Sequence, residues 1–252
     1  IKKERGLGKF DFWQMMMMDL SSAKSGSLKY YIYPHANVEE TWPTAGGVDV
    51  PYDFKERHDN QTKLSSFAMA FVAKRPASGA VLIGGVVDHP TMGQAFNHML
   101  AAQSNFANWI FTFCENVGGG RVFISAARLM FPHLKIMGSD LGKLIRQPGE
   151  GAGKAKNKKT RIQTELAPWL ENGTILISDL DDPYLNLVRD ALDNFSELND
   201  ARADDRLDVL DAFYHAVKGI PEVLVGQRFD EELPAIFKKQ KHPHPLAGRK
   251  NR

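Results

Sequence analysis

The chain has 252 residues, 43% hydrophobic and 25% charged, with a formal net charge of +2 at pH 7. This length can bury one large core with extensions, and so small a net charge means that any surface for a charged partner must be local. The single cysteine, Cys114, excludes an internal disulfide framework and a cysteine-rich zinc site, and no apolar run approaches the roughly 20 residues of a membrane span.

Nothing at the N-terminus reads as a signal peptide. The chain begins at Ile1 rather than Met and is expected to be part of something longer. Residues 1–42 read as a connector, with a predicted helix from Phe10 to Leu20 that carries the Met15–Met18 run, then a polar break from Ser21 to Ser27. Ala45 to Val50 is a short strand containing an acid, followed by a polar loop with Asp53, Asp59 and Asn60. Phe67 to Ala73 and Ala80 to Val87 are β-rich runs joined by the Arg75-Pro76-Ala77-Ser78-Gly79 turn. Short connections between three consecutive strands predict an antiparallel meander.

From Thr91 to Asn108 the period becomes helical, with Met92, Ala95, Phe96, Met99 and Leu100 on one side. Trp109 to Cys114 is too apolar to have a solvated face and reads as a buried strand ending at Glu115. After Gly118-Gly119-Gly120, a helix is predicted over Arg121 to Met130 and a strand over Leu134 to Met137. Gly149 to Arg161 is glycine-rich and basic, which predicts a mobile surface loop. Ile162 to Leu170 is a helix stopped by Asn172-Gly173, Thr174 to Ile177 a strand, and Pro183 opens a helix through Leu192. A last helix runs to about Lys218, where Gly219 and Pro221 are expected to stop it. The basic tail after Gln227 has no clear period. A meander followed by helix–strand alternation predicts an α/β domain with a mixed central sheet. The expected divisions are a connector over 1–42, a domain over 43–222 and a tail over 223–252.

The last helix is unusual. Leu207, Leu210, Tyr214 and Val217 mark an apolar face, yet four of the eight residues from 204 to 211 are acids. Acids at a helix N-terminus are favoured by the macrodipole, but Asp204, Asp205 and Asp208 with Asp211 exceed what capping requires. Asp49 and Glu115 stand at comparable places on buried strands, where an uncompensated carboxylate is costly. Clustered carboxylates repel one another until a divalent cation binds. Oxygen ligands without histidine or thiol select a hard ion, so Mg²⁺ or Mn²⁺ is expected. Two such ions about 3.5–4 Å apart support in-line phosphodiester cleavage. The plainer alternative makes Asp49 a loop acid, Glu115 a strand-end acid and Asp204 a cap.

Other patterns carry less. Gly151-Ala152-Gly153-Lys154 lacks the first glycine of a P-loop, since position 148 is Pro148, and Ala155 replaces the Ser or Thr that would hold Mg²⁺. No ATPase is therefore expected within this chain. Gly118 to Gly120 lacks dinucleotide-fingerprint spacing and is expected to let backbone or DNA come close to Glu115. The histidines form no metal pattern, no nucleophile elbow is present, and Cys114 is expected to be an inert core residue. Lys154, Lys156, Lys158, Lys159 and Arg161 could neutralise phosphates without sequence preference. A merely solvated basic stretch is the alternative.

Taken in order, four segments resemble the nuclease domain of viral large terminase subunits, the DNA-packaging proteins of tailed bacteriophages. Val48-Asp49-Val50-Pro51 resembles the first-strand aspartate of that family, and Cys114 to Gly120 its strand-end acid with Asn and a glycine turn. Asp204 to Ala212 is similar to its closing Asp-Asp-Arg-x-Asp-Ala-Leu helix, and Phe10 to Leu20, with Gln14, resembles the segment leaving an ATPase motor. The likeness covers most of residues 10–220. It implies an RNase H-like fold, a mixed central β-sheet flanked by helices, with a two-metal site and Asp49, Glu115 and Asp205 as metal ligands. Asp204 and Asp208 are candidates to share the last role, and Asp211 is expected to be solvated. Two departures stand out: the long loop after Asp49 leaves Asp53 and Asp59 open, and Asp-Val-Leu-Asp-Ala replaces the usual Asp-Ala-Leu.

The resemblance implies a metal-dependent endonuclease cutting concatemeric viral double-stranded DNA during packaging. An ATPase motor N-terminal to Ile1, a small terminase subunit and a portal ring would be partners, and the site of action the host cytoplasm at the procapsid portal. Another RNase H-like nuclease of the junction-resolvase or transposase type stays open, as does a DNA-binding or motor-docking module with structural acids.

Overall fold

A computed structural model of the protein describes residues 26–51, 54, 66–76, 78–115, 118–139, 158–198 and 204–226. Among them, seven strands form one mixed sheet in the order β1-β7-β4-β3-β2-β5-β6. The strands are β1 (Ile32–Tyr33), β2 (Thr44–Asp49), β3 (Phe67–Lys74), β4 (Ala80–Asp88), β5 (Trp109–Glu115), β6 (Ile136–Ser139) and β7 (Ile175–Ser178). As expected, β2, β3 and β4 make an antiparallel meander. β5 and β6 then add in parallel beside β2, and β7 and β1 in parallel beside β4. This is the expected α/β architecture, a mixed central sheet flanked by helices. Part of the stretch expected as a connector supplies the edge strand β1, with Tyr33 and Trp42 buried.

The helices are α1 (Met92–Asn105), α2 (Gly118–Met130), α3 (Lys158–Arg161), α4 (Ala167–Glu171), α5 (Pro183–Asp193) and α6 (Asp205–Gly226), with a π-helical segment, Ile162–Leu166, joining α3 to α4. Local chemistry sets several starts. Thr91 caps α1 in a reciprocal capping box with Gln94. Asp182 caps α5 by accepting from the Leu185 N–H, and Pro183 takes the first turn. No helix among the described residues is long and apolar enough to cross a membrane.

Strand alternation sorts the side chains of β2 and β5 onto two faces. Val48 and Cys114 enter a core with Phe67, Phe96 and Phe123. Ala45 and Phe113 enter the opposite core, which contains α6 and much of α5. By the same alternation Asp49 and Glu115, one residue beyond Val48 and Cys114, face α6. The helix comes unusually close to the sheet. A Cβ at Gly47 would lie 2.2 Å from the Ala212 carbonyl oxygen and 2.1 Å from the Ala216 nitrogen, and one at Gly219 would lie 2.1 Å from Phe113. Gly219 is therefore a packing glycine. The expected stop at Gly219 and Pro221 is not observed, and α6 continues to Gly226. From Leu207 to Val217 every residue of α6 is buried, so this helix has no solvent face over its middle turns.

Two further expectations change. The helix after the glycine run starts at Gly118, and Lys158–Arg161 is helical rather than loop. The predicted Phe10–Leu20 helix, the Met15–Met18 run, Asp53, Asp59, residues 149–157 and the tail after Gln227 lie outside the described residues.

Candidate metal centre

Asp49 closes β2 and Glu115 closes β5, at the carboxyl ends of two paired parallel strands. Strand carboxyl ends are where open α/β sheets characteristically bind ligands. Gly120 brings the start of α2 onto the Glu115 backbone, because a Cβ there would lie 2.0 Å from the Glu115 carbonyl oxygen. This meets the expectation that the glycine run permits close approach. Across from the strands, Asp208 and Asp211 project from α6. Asp49, Asp208 and Asp211 are buried and Glu115 is partly exposed.

Two cationic side chains from α3 bind the four carboxylates. Lys158 and Arg161 are spaced i, i+3, which places them on one side of that helical turn. The Lys158 ammonium donates to Asp49 Oδ2 and, at 2.7 Å, to Asp208 Oδ1. The other Asp208 oxygen accepts from the Ser66 N–H at 3.0 Å and the Ser66 hydroxyl at 2.8 Å. Arg161 donates from Nε and Nη2 to Asp211 at 3.0 and 2.6 Å, and from Nη1 to Glu115 Oε1 at 3.0 Å. Its guanidinium also lies over the Tyr214 ring, 5.6 Å from the centroid. His215 Nε2 stands 3.4 Å from Asp211 Oδ2, both side chains fully buried. Two cations against four carboxylates leave this group negative before any histidine is counted.

The electrostatics divide the acids. Burial pushes the Asp49 carboxyl well above the usual range; Lys158 pulls it back, and the charges of Asp211 and Asp208 raise it further. Burial would raise Asp211 too, but His215, Arg161 and Lys158 together hold it below the ordinary carboxylate value. Burial opposes the charged forms of Lys158 and Arg161, yet the surrounding carboxylates keep both firmly protonated. Cys114 points away from this group into the other core, where burial first, then Asp49 and Glu115, push its thiol up.

Of the residues singled out from the sequence, Asp49, Glu115 and Asp208 are brought together. Asp205 is exposed at the first position of α6. Asp204 precedes the helix, accepts from the Leu207 N–H with its carbonyl and binds Arg206 with its carboxylate. The expectation of a solvated Asp211 is corrected, because it is wholly buried beneath Arg161. A histidine is also nearer than expected. Glu115, Asp211 and His215 offer ligand atoms within 4.8 Å of one another. The i, i+3, i+7 spacing of Asp208, Asp211 and His215 was the available signal for this. Lys158 and Arg161 turn inward rather than outward, while Lys159 donates to the carbonyls of Ser196 and Leu198 at 2.9 and 2.7 Å. Lys154 and Lys156 lie outside the described residues.

The donor set suits a hard divalent cation. Carboxylates from two strands and a helix converge, already gather ammonium and guanidinium charge, and include the strongly perturbed Asp49. Asp49 and Asp208 fit this role best, with Glu115 beside them. Asp211, with both oxygens on Arg161, is better placed to anchor Arg161 than to coordinate.

The fold and site together define an α/β domain with a mixed sheet and an acidic centre at the ends of two parallel strands. No protein-family model matches the chain, and no curated protein matches its sequence. The chain is similar in structure to the large terminase nuclease domain of bacteriophage SPP1, solved with bound Mn. That match has a TM-score of 0.47 at 13% identity and covers 77% of this chain and 99% of the other. It is also similar to the human cytomegalovirus terminase nuclease domain, at a TM-score of 0.42 and 13% identity, covering 74% of this chain and 92% of that one. At this distance the functional reading stands on the side chains described above.

Proposed function

We propose that this chain is a metal-dependent endonuclease that cuts concatemeric viral double-stranded DNA during genome packaging. The observation that carries the reading is that Asp49, from the end of β2, and Asp208, from α6, share the Lys158 ammonium, while Arg161 of the same helical turn holds Glu115 from the end of β5. Asp49, Asp208 and Glu115 are the proposed holders of Mg²⁺ or Mn²⁺, with two ions in keeping with the family resemblance. Bound there, such ions would supply Lewis-acid charge for the attack of water on phosphorus.

The chain's own residues divide the remaining work. Ser66 fixes one oxygen of Asp208 and so sets how that carboxylate faces the centre. Arg161, anchored on Asp211, holds Glu115 by one oxygen. Lys154 and Lys156 are proposed to hold the DNA backbone without reading bases, which makes cleavage largely sequence-tolerant. The resemblance adds an ATPase motor, a small terminase subunit and a portal ring as proposed partners, at the procapsid portal in the host cytoplasm.

The test is plasmid nicking by the full chain in Mn²⁺, Mg²⁺ or EDTA. Nicking is expected with either ion, lost in EDTA and lost in Asp49→Ala and Glu115→Ala. Cleavage surviving both substitutions would reject the site. The ion pairs of Lys158 and Arg161 also suit a second reading, a DNA-binding module whose acids only support the core. DNA binding without nicking in either ion would favour it.

A further inference from the structure

We infer that the Lys158 ammonium is an internal counter-ion standing where a divalent cation binds, and that the cation enters by displacing it while Arg161 stays. This rests on the metal-centre reading and concerns how the same site is held and filled. Lys158 joins a strand carboxylate to a helix carboxylate through one charged nitrogen, with Asp49 Oδ2 and Asp208 Oδ1 both directed at it. Ser66 holds the second oxygen of Asp208, so the oxygen given to Lys158 is the one turned toward the centre. A divalent ion carries twice the charge of the ammonium and gains correspondingly more from the same two carboxylates.

The two cations of α3 differ in how they can leave. The Lys158 side chain is 29% exposed, against 8% for Arg161. An ammonium is a strongly hydrated point charge on a flexible stem, and water readily takes it back. Arg161 has its planar fork spread over Asp211 and Glu115, and its removal would strand the fully buried Asp211. Lys158 therefore balances Asp49 and Asp208 until a metal arrives, and Arg161 keeps Glu115 in position before and after. Such a device lowers apparent metal affinity by the fraction of molecules in which Lys158 has swung away.

Calorimetric titration of the full chain with Mn²⁺ tests this against two variants. Lys158→Gln should bind Mn²⁺ at least about tenfold more tightly, as expected when the competent state is the minor one. Lys159→Gln removes the same charge from a side chain engaged with the Ser196 and Leu198 carbonyls; its affinity should stay within about twofold of wild type. On the wild-type chain, reductive methylation read by mass spectrometry should label Lys158 slowly in EDTA and several-fold faster in saturating Mn²⁺. Equal affinity in wild type and Lys158→Gln, an equal gain in both variants, or labelling indifferent to Mn²⁺ each overturns the displacement. Measurable but unchanged affinities leave the metal-centre reading intact. Absence of Mn²⁺ binding in all three proteins removes that reading and the displacement with it.

Discussion

Asp49 and Asp211 are buried aspartates of one cluster, and the fold treats them in opposite ways. Asp49 ends a strand and shares one ammonium with Asp208, and burial with neighbouring negative charge drives its carboxyl up. Asp211 lies one turn further along α6 and meets a guanidinium by both oxygens, with His215 beside it, and is held down. A depressed, fully paired carboxylate is a structural anion. A buried carboxylate driven up by its surroundings is one that a further cation would relieve, which is the behaviour expected at a functional site. Burial alone does not separate the two; the number and fixity of their cationic partners does.

The comparison breaks first at Asp211. Asp211→Asn leaves Arg161 buried with half its pairing and should cost about 3–5 kcal/mol in urea unfolding. A loss under about 1 kcal/mol would show that Arg161 does not depend on it. Asp49→Asn should do the reverse, keeping or raising stability in EDTA while lowering nicking at least about a hundredfold, the equivalent of about 2.7 kcal/mol of lost charge stabilisation. Destabilisation by Asp49→Asn comparable to that of Asp211→Asn would erase the distinction.

The pH dependence separates the pair by sign. Asp211 has a lowered folded value, so its contribution is present above the unfolded value near 3.9 and is lost as pH falls toward the folded one. Asp49 has a raised folded value, so its penalty is absent below about 3.9 and grows as pH rises toward the folded value. Denaturant midpoints in EDTA should therefore show the gap between wild type and Asp211→Asn shrinking on acidification. The advantage of Asp49→Asn should grow as pH rises above about 4. Parallel curves would contradict both assignments.

Smaller effects sharpen the picture. Ser66→Ala removes the hydroxyl donor to one oxygen of Asp208 and leaves the backbone N–H bond in place; it should weaken Mn²⁺ binding by no more than about tenfold by calorimetry, the lower end for loss of an orienting hydrogen bond. Asp205→Ala, at an exposed first-turn position, should change stability by no more than about 0.5 kcal/mol. Its nicking rate should also match wild type, and a loss as large as that of Asp208→Ala would return Asp205 to the centre.

Much of the architecture was legible in the residues themselves. Short β-rich or apolar runs and turn residues mark β2 to β5, and the Thr91 and Pro183 signals mark helix starts, because these features act over a few neighbouring residues. Asp49 and Glu115 were legible for a related reason, since each ends an apolar strand where an acid is conspicuous. Gly219 and Pro221 misled because a local stop signal was overridden by packing, with Gly219 pressed against Phe113. At the end of the basic run, position along the chain does not reveal that Lys158 and Arg161 point inward from one helical turn.

By itself the sequence determined the mixed α/β plan, the two strand-end acids and the acid-rich final helix, all set by local periodicity and polarity. Only the tertiary structure decided which acids of that helix belong to the centre. An amphipathic reading assigns the polar side of a helix to solvent, but α6 is enclosed on every side through its middle turns. Its polar side faces Asp49, Glu115, Lys158 and Arg161 instead. Long-range docking of α6 on Gly47 of β2, and of α3 across it, makes Asp208 and Asp211 interior and leaves Asp205 in water.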